Sequence, residues 1–220
     1  MTRLDEALKG SQKKVVVIAP HPDDEVIGVG GVIRLLLSGG SKVKVVVVTT
    51  GSRGSQKAMK DPAFRPELAA VRADEERDCA ALLGYSSVPF GLEAAHPVYA
   101  VSEKIRKEIE GADIIFTPHL DDGHPTHVAV TRALMDAEPT AEVWGYETWR
   151  PINSPTLLVD ISKVMDIKVK AIELHRSQVS QRDFPGAAKG LARYRGVFSK
   201  IYPDLGYEYA EAFALISSPQ

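Results

Sequence analysis

Directly behind an apolar run, Pro20-His21-Pro22-Asp23-Asp24-Glu25 crowds one imidazole and three carboxylates into a single turn. A structural turn asks for a proline and one Asp or Asn at most. Adjacent carboxylates repel one another, and a bound cation offsets that repulsion. A second cluster, Asp121-Asp122-Gly123-His124-Pro125-Thr126-His127, follows the apolar run 113–117. Pro125 suits the first turn of a helix, and three-residue spacing then sets His124 and His127 on nearly the same side of it. Alone, such a pair reads equally as a capped helix start or as ligands. Two clusters of this kind at strand ends point instead to one divalent ion. Two imidazoles and one carboxylate with an open position for water suit catalytic zinc. Ferrous iron accepts the same donors, whereas magnesium prefers oxygen ligands and retained waters.

A sheet must bring the two clusters together. Residues 14–19 (KVVVIA) and 42–49 (KVKVVVVT) are β-branched apolar runs, the pattern of strands covered on both faces. Between them, Val32, Leu35 and Leu36 fall at helical spacing in 28–38, which stops at Gly39-Gly40. Strand, helix, strand predicts a right-handed βαβ unit with parallel pairing. Further helices are predicted over 66–83, 102–110, 126–136, 162–175 and 187–200, and strands over 113–117, 142–147, 156–160 and 209–216. The chain reads as one α/β domain over 1–220, and such sheets bind ligands beyond the carboxyl ends of their strands. The polar connection 51–65 is long enough for a lid. Gly28, Gly30 and Gly31 form only part of a dinucleotide fingerprint, which argues against that ligand.

Hydrophobic residues at 44% and charged residues at 25% are ordinary for a soluble enzyme. A net charge of -2 gives no broad basic field for nucleic acid. The basic stretch through Arg176, Arg182, Lys189, Arg193, Arg195 and Lys200 reads as a solvated face or subunit contact. The single cysteine, Cys79, excludes an internal disulfide and a multi-cysteine zinc site, and reads as a small packed apolar residue. No apolar run approaches the ~20 residues of a membrane helix, and the N-terminus lacks a signal-peptide core. A cytoplasmic protein with neither nucleic-acid nor membrane partner is expected, and the apolar stretch 197–209 offers a contact for a homo-oligomer.

His21-Pro-Asp-Asp-Glu25, followed far along the chain by His124-x-x-His127, resembles the zinc-dependent N-acetylglucosaminyl deacetylases, the PIG-L or LmbE-like family. Arg72-x-x-Glu75 ahead of Leu83-Gly84, Lys168-x-x-Ala171 leading to His175-x-Ser177-Gln178, and Ala210-Glu211-Ala212-Phe213 resemble its later segments. The resemblance implies a Rossmann-like three-layer sandwich with a mostly parallel central sheet, and removal of an N-acetyl group from an amino sugar. It implies His21, Asp24 and His127 as ligands of one zinc or ferrous ion, Asp23 as general base and a protonated His124 facing the oxyanion. Thr126 stands where the family usually has an aspartate able to buttress a histidine.

Weaker candidates surround these residues. Arg72 and Arg53 are placed near substrate, and Asp122 either there or as a helix cap. Glu25 is expected to tie down backbone amides. His175 reads as pocket rim or as a satisfied structural histidine, and His96 and His119 as structural or surface residues. Trp144, Tyr146 and Trp149 read as core aromatics before sugar platforms. Alternative functions are a metallo-deacylase acting on another amide or ester, and a weakly active sugar-binding protein that keeps the metal.

Overall fold

Valine-rich strands with both faces covered form the centre of the fold. In β1 (Lys14–Ala19), Val15, Val17 and Ala19 pack into one apolar cluster and Val16 and Ile18 into another. These clusters lie on opposite faces, because successive side chains of a strand alternate in direction. The structure is a computed structural model that describes residues 2–93, 98–200 and 206–219.

After α1 (Arg3–Leu8) and β1, the order is α2 (Asp24–Ser38), β2 (Lys42–Thr49), α3 (Gln56–Lys60), α4 (Arg65–Leu83), β3 (Ser86–Leu92) and α5 (Val98–Glu108). Then follow β4 (Ile114–Pro118), α6 (Pro125–Asp136), β5 (Glu142–Tyr146), β6 (Leu157–Asp160), α7 (Met165–Leu174), α8 (Arg176–Val179), α9 (Phe184–Val197) and β7 (Ala210–Ser217). The seven strands form one sheet in the order β3-β2-β1-β4-β5-β7-β6. Pairing is parallel from β3 through β5, and β7 runs antiparallel to both β5 and β6. Helices α2, α4, α7 and α9 pack on one face, and α5 and α6 on the other. The expected three-layer α/β fold with a mostly parallel sheet is therefore present. From β1 the chain proceeds outward to β2 and β3, then crosses to β4 and β5 on the other side. The carboxyl ends of β1 and β4 consequently flank the crevice where open sheets bind ligands, and the two charged clusters follow those two strands.

Several elements differ from the sequence expectation. Strand β3 was not anticipated, since Pro89 and Gly91 interrupt its pattern; it lies at the sheet edge, where proline is tolerated. Helix α2 begins at Asp24 rather than at 28, which puts Asp24 and Glu25 in its first turn. The connection 51–65 is not open but holds α3 and a 3-10 turn at Pro62–Phe64. Trp144 and Tyr146 are core residues as expected, whereas Trp149 is 48% exposed. Within the basic stretch, Arg195 binds Glu147 Oε1 at 2.5 Å and the Ile152 carbonyl at 2.6 Å, so it is structural. No described helix is long and apolar enough to cross a membrane. His96, and residues 201–205 of the apolar stretch 197–209, lie outside the described residues.

The glycine cluster in α2 serves packing. A Cβ on Gly28 would overlap the Tyr146 ring and lie 2.8 Å from the Glu147 carbonyl oxygen, so only glycine lets the helix approach the end of β5. At Gly30 the nearest atom, Lys168 Cγ, would be 3.4 Å away, an ordinary contact. Gly28→Ala is expected to lose about 1–3 kcal/mol through overpacking. Gly30→Ala should be neutral or gain up to about 1 kcal/mol from helix propensity. Urea denaturation of both variants checks this, and equal stabilities would refute the close-approach argument.

Candidate active site

The turn after β1 is anchored before it becomes chemical. Thr49, at the end of β2, donates both its backbone N–H (2.9 Å) and its hydroxyl (2.8 Å) to the Pro20 carbonyl. From that anchor His21 turns towards the first turn of α2 and accommodates Asp24. Asp24 Oδ2 accepts the His21 backbone N–H at 2.9 Å and lies 3.0 Å from His21 Nδ1. The same oxygen is 3.1 Å from His127 Nε2, and the two ring nitrogens are 3.2 Å apart. Residues from opposite sides of the crevice thus meet in a nearly equilateral triangle of donor atoms. His124 stands beside it, with its ring 4.6 Å from that of His127 and 5.0 Å from that of His21.

His127 is held from behind. Its Nδ1 lies 2.9 Å from Asp122 Oδ1 and 3.1 Å from the Thr148 hydroxyl. Asp122 Oδ2 accepts the Thr148 hydroxyl at 2.5 Å and the Trp149 backbone N–H at 3.1 Å, while Oδ1 accepts the His124 backbone N–H at 3.1 Å. With Nδ1–H donated to Asp122, a neutral His127 turns its Nε2 lone pair into the triangle, the arrangement by which outer carboxylates orient ligating histidines. Burial alone would lower His127, but the facing Asp24 carboxylate and the Asp122 hydrogen bond outweigh it and push it up to about 10. Burial opposes ionisation of Asp24 too, yet His127 and His21 hold it well below the usual carboxylate range. The pocket thus favours positive charge at the triangle's centre.

Asp23 faces elsewhere. Its backbone adopts φ 130°, a region side chains rarely occupy and one that marks stored strain. Arg72, 3% exposed on α4, places Nη2 3.1 Å from Asp23 Oδ2 and 2.5 Å from the Pro22 carbonyl, and Nη1 3.1 Å from the Gly51 carbonyl. Gly51 has φ +62°, and any Cβ there would strike the guanidinium. Burial raises Asp23 to about 7 despite Arg72. Glu25 Oε2 accepts the Asp23 backbone N–H at 3.2 Å, the amide-tying role expected of it.

A cavity of about 650 Å³ opens over these groups, lined by His21, Asp23, Asp24, His124, Thr126 and Trp149 among others. The Trp149 ring lies 5.5 Å from that of His124, and the Arg182 guanidinium stands 5.1 Å from the Trp149 ring. Arg53 is exposed, lines the cavity and forms no ion pair among the described residues. His119 is structural, as expected, with Nε2 2.7 Å from the Arg150 carbonyl. Two expectations change. His175 is 1% exposed and its ring nitrogens have no partner among the described residues, so it is neither rim nor satisfied. The protonated form expected of His124 is disfavoured: burial, then the charges of His127 and His21, push it down to about 4.

Residues 16–138 match the PIG-L family, GlcNAc-PI de-N-acetylase. The chain belongs to the PIG-L family. It is 30% identical over 238 residues to the diacetylchitobiose deacetylase of Thermococcus kodakarensis, covering 93% of this chain and 83% of the relative. It is 31% identical over 186 residues to a probable N-acetyl-alpha-D-glucosaminyl L-malate deacetylase 2 of Bacillus cereus, covering 76% and 84%. Among solved structures, the N,N'-diacetylchitobiose deacetylase of Pyrococcus horikoshii with its inhibitor MPG superposes with a TM-score of 0.77 at 27% identity, over 97% of this chain and 90% of that one.

Within this PIG-L chain, Thr126 does not leave His127 without a carboxylate, because Asp122 reaches Nδ1 from the preceding loop. Nothing in the residue types alone distinguishes Asp122 from Asp121 for that task. Asp122→Asn is expected to weaken binding of a divalent ion at the triangle by about 10–100-fold. Competition against a chromophoric chelator measures this, and an unchanged affinity would show that the contact is idle.

Proposed function

We propose that this chain is a metal-dependent hydrolase that removes the acetyl group from an N-acetylglucosaminyl compound, a small glycoside or disaccharide. The observation that carries the reading is the triangle of His21 Nδ1, Asp24 Oδ2 and His127 Nε2, with the Arg72-paired carboxylate of Asp23 lining the same cavity. The relatives named above are deacetylases of diacetylchitobiose and, as a probable assignment, of an N-acetylglucosaminyl malate, which supports the substrate class.

The donor set fits zinc. Nitrogen and oxygen ligands at about 2.0–2.1 Å in tetrahedral geometry lie about 3.3–3.4 Å apart. The triangle's edges of 3.0, 3.1 and 3.2 Å need only slight expansion to match. Ferrous iron fits the same donors. Either ion, when bound, supplies Lewis acidity that acidifies water and polarises an acyl carbonyl.

The chain's own groups do the rest. Asp23 accepts the proton lost by the attacking water and passes it to the nitrogen of the departing amine; the new carboxylic acid then gives up its own proton, so that amide and water become carboxylate and ammonium. Its value near 7 lets the proton move in either direction at neutral pH. Arg72 keeps that carboxylate oriented and stops it joining Asp24 at the triangle. His124, neutral, donates a ring N–H to the carbonyl oxygen as negative charge develops there. Trp149 offers a half-exposed ring face to a sugar, and Arg53 lies where it can reach the sugar's substituents.

Amine released from N-acetylglucosamine glycosides and disaccharides should disappear on chelation and return with zinc or ferrous iron. Turnover indifferent to chelator would overturn the proposal, and binding without release would leave a sugar-binding protein. Asp23→Asn is expected to lower kcat by roughly 10²–10⁴ with metal content unchanged; near-normal turnover would remove Asp23 from its role. Trp149→Ala should raise KM with little change in kcat, and the reverse pattern would place the ring in the chemical step.

A further inference from the structure

Behind the Pro20–Glu25 turn, a second group of polar side chains is sealed in the core. Glu25 on α2 and Cys79 on α4 are both 0% exposed, and His175, between α7 and α8, is 1% exposed. One donor atom from each lies within 4.8 Å of the other two. Glu25 Oε1 accepts the Tyr85 hydroxyl at 3.0 Å, and that hydroxyl also lies 3.4 Å from Glu76 Oε1. The acids are thus partly satisfied. The imidazole is not: neither His175 Nδ1 nor Nε2 has a hydrogen-bond partner among the described residues, and Nε2 lies 3.9 Å from Glu25 Oε1. Buried polar groups in native proteins are nearly always hydrogen-bonded, and an exception calls for a missing water or ion. The gap between Nε2 and Oε1 is too wide for a hydrogen bond and about half an ångström wider than the nitrogen–oxygen separation across one zinc ion.

We propose that Glu25, Cys79 and His175 form a second, closed metal site for a thiophilic divalent ion of the zinc class. One thiolate, one carboxylate and one neutral imidazole balance a double positive charge inside a region that excludes water, which is the condition for burying charge. Coordination releases the thiol proton, and any proton on Glu25, to solvent. Sulfur and nitrogen donors select zinc, cobalt or cadmium over magnesium and calcium. Zinc-bound nitrogen and sulfur lie about 3.4–3.8 Å apart, so donors up to 4.8 Å apart need to close by about an ångström or less. Tyr85 stands beside Glu25 as a neutral fourth neighbour. The ion would fasten α2, α4 and the α7–α8 junction to one point directly behind the catalytic turn. It shares no donor with the triangle of His21, Asp24 and His127, and so stands independently of the proposed reaction.

The chain contains one cysteine, so a thiolate-to-metal charge-transfer band can report this site and no other. The whole protein is unfolded, refolded with excess Co²⁺ so that burial cannot keep the ion out, and freed of unbound metal. Two cobalt ions per chain and a near-ultraviolet thiolate–cobalt band are expected. The band should persist in His127→Ala, and both the band and one ion should be lost in Cys79→Ala and in His175→Leu. Wild-type protein that takes up one cobalt and shows no thiolate band overturns the site. So does a second ion retained in Cys79→Ala. The wild-type spectrum and stoichiometry decide the matter even where a core variant does not fold.

Discussion

Three electron-pair donors converging within 3.0–3.2 Å of one another are a source of repulsion unless positive charge lies among them. That requirement organises the crevice. Burial opposes charge on His127, yet the Asp24 and Asp122 carboxylates push it up to about 10. A proton satisfies one pair of atoms at a time. A divalent ion satisfies all three donors together, and the Asp122 contact at Nδ1 leaves Nε2 free to be one of them. The sheet exists, in this sense, to hold His21 and His127 against their mutual repulsion: one follows β1, the other lies in the first turn of α6 beyond β4, and those strands are paired neighbours in register.

Placing Asp23 costs stability that the surrounding structure must offset. A non-glycine residue at φ 130° costs of order 1–3 kcal/mol. The buried guanidinium of Arg72 holds the strained turn in place, gripping the Pro22 carbonyl and the Asp23 carboxylate together, with Gly51 opened to receive it. Arginine suits this task because its planar fork presents several donors in fixed directions. The arrangement keeps a carboxylate near the triangle without letting it become a fourth donor. The proposed division of labour between Asp23 and Asp24 requires that separation.

Both charged clusters were legible in the sequence because their residue types make no sense as turns alone, and the buried strands because β-branched runs have few other uses. What escaped the sequence depended on tertiary direction. Strand β3 carries Pro89 and Gly91, which an edge position tolerates and a pattern of alternation does not reveal. The start of α2 was hidden by three consecutive acids that read as a loop. Asp122 and Asp121 are equivalent as letters, and only the path of the loop after β4 brings one of them to His127. His175 sits on a helix junction whose partners come from α2 and α4, so neither its burial nor its missing hydrogen bonds could be read locally. His124 was expected charged because its role asks for a proton; burial first, and then its histidine neighbours, disfavour that charge.

The same three acids show why a short motif can serve several purposes. In an α-helix successive side chains are rotated by about 100°, and a residue just ahead of the helix with positive φ departs from even that course. Asp23 therefore turns to Arg72, Asp24 to the two histidines, and Glu25 into the core to meet Tyr85. Repulsion that would be severe in an extended chain is relieved by divergence as much as by any cation. Divergence also places adjacent residues in unlike surroundings: Asp24 is held ionised by imidazoles, whereas burial and Glu76 raise Glu25 to about 8. One turn can then present three carboxylates to three different surroundings, because the chain direction changes between them.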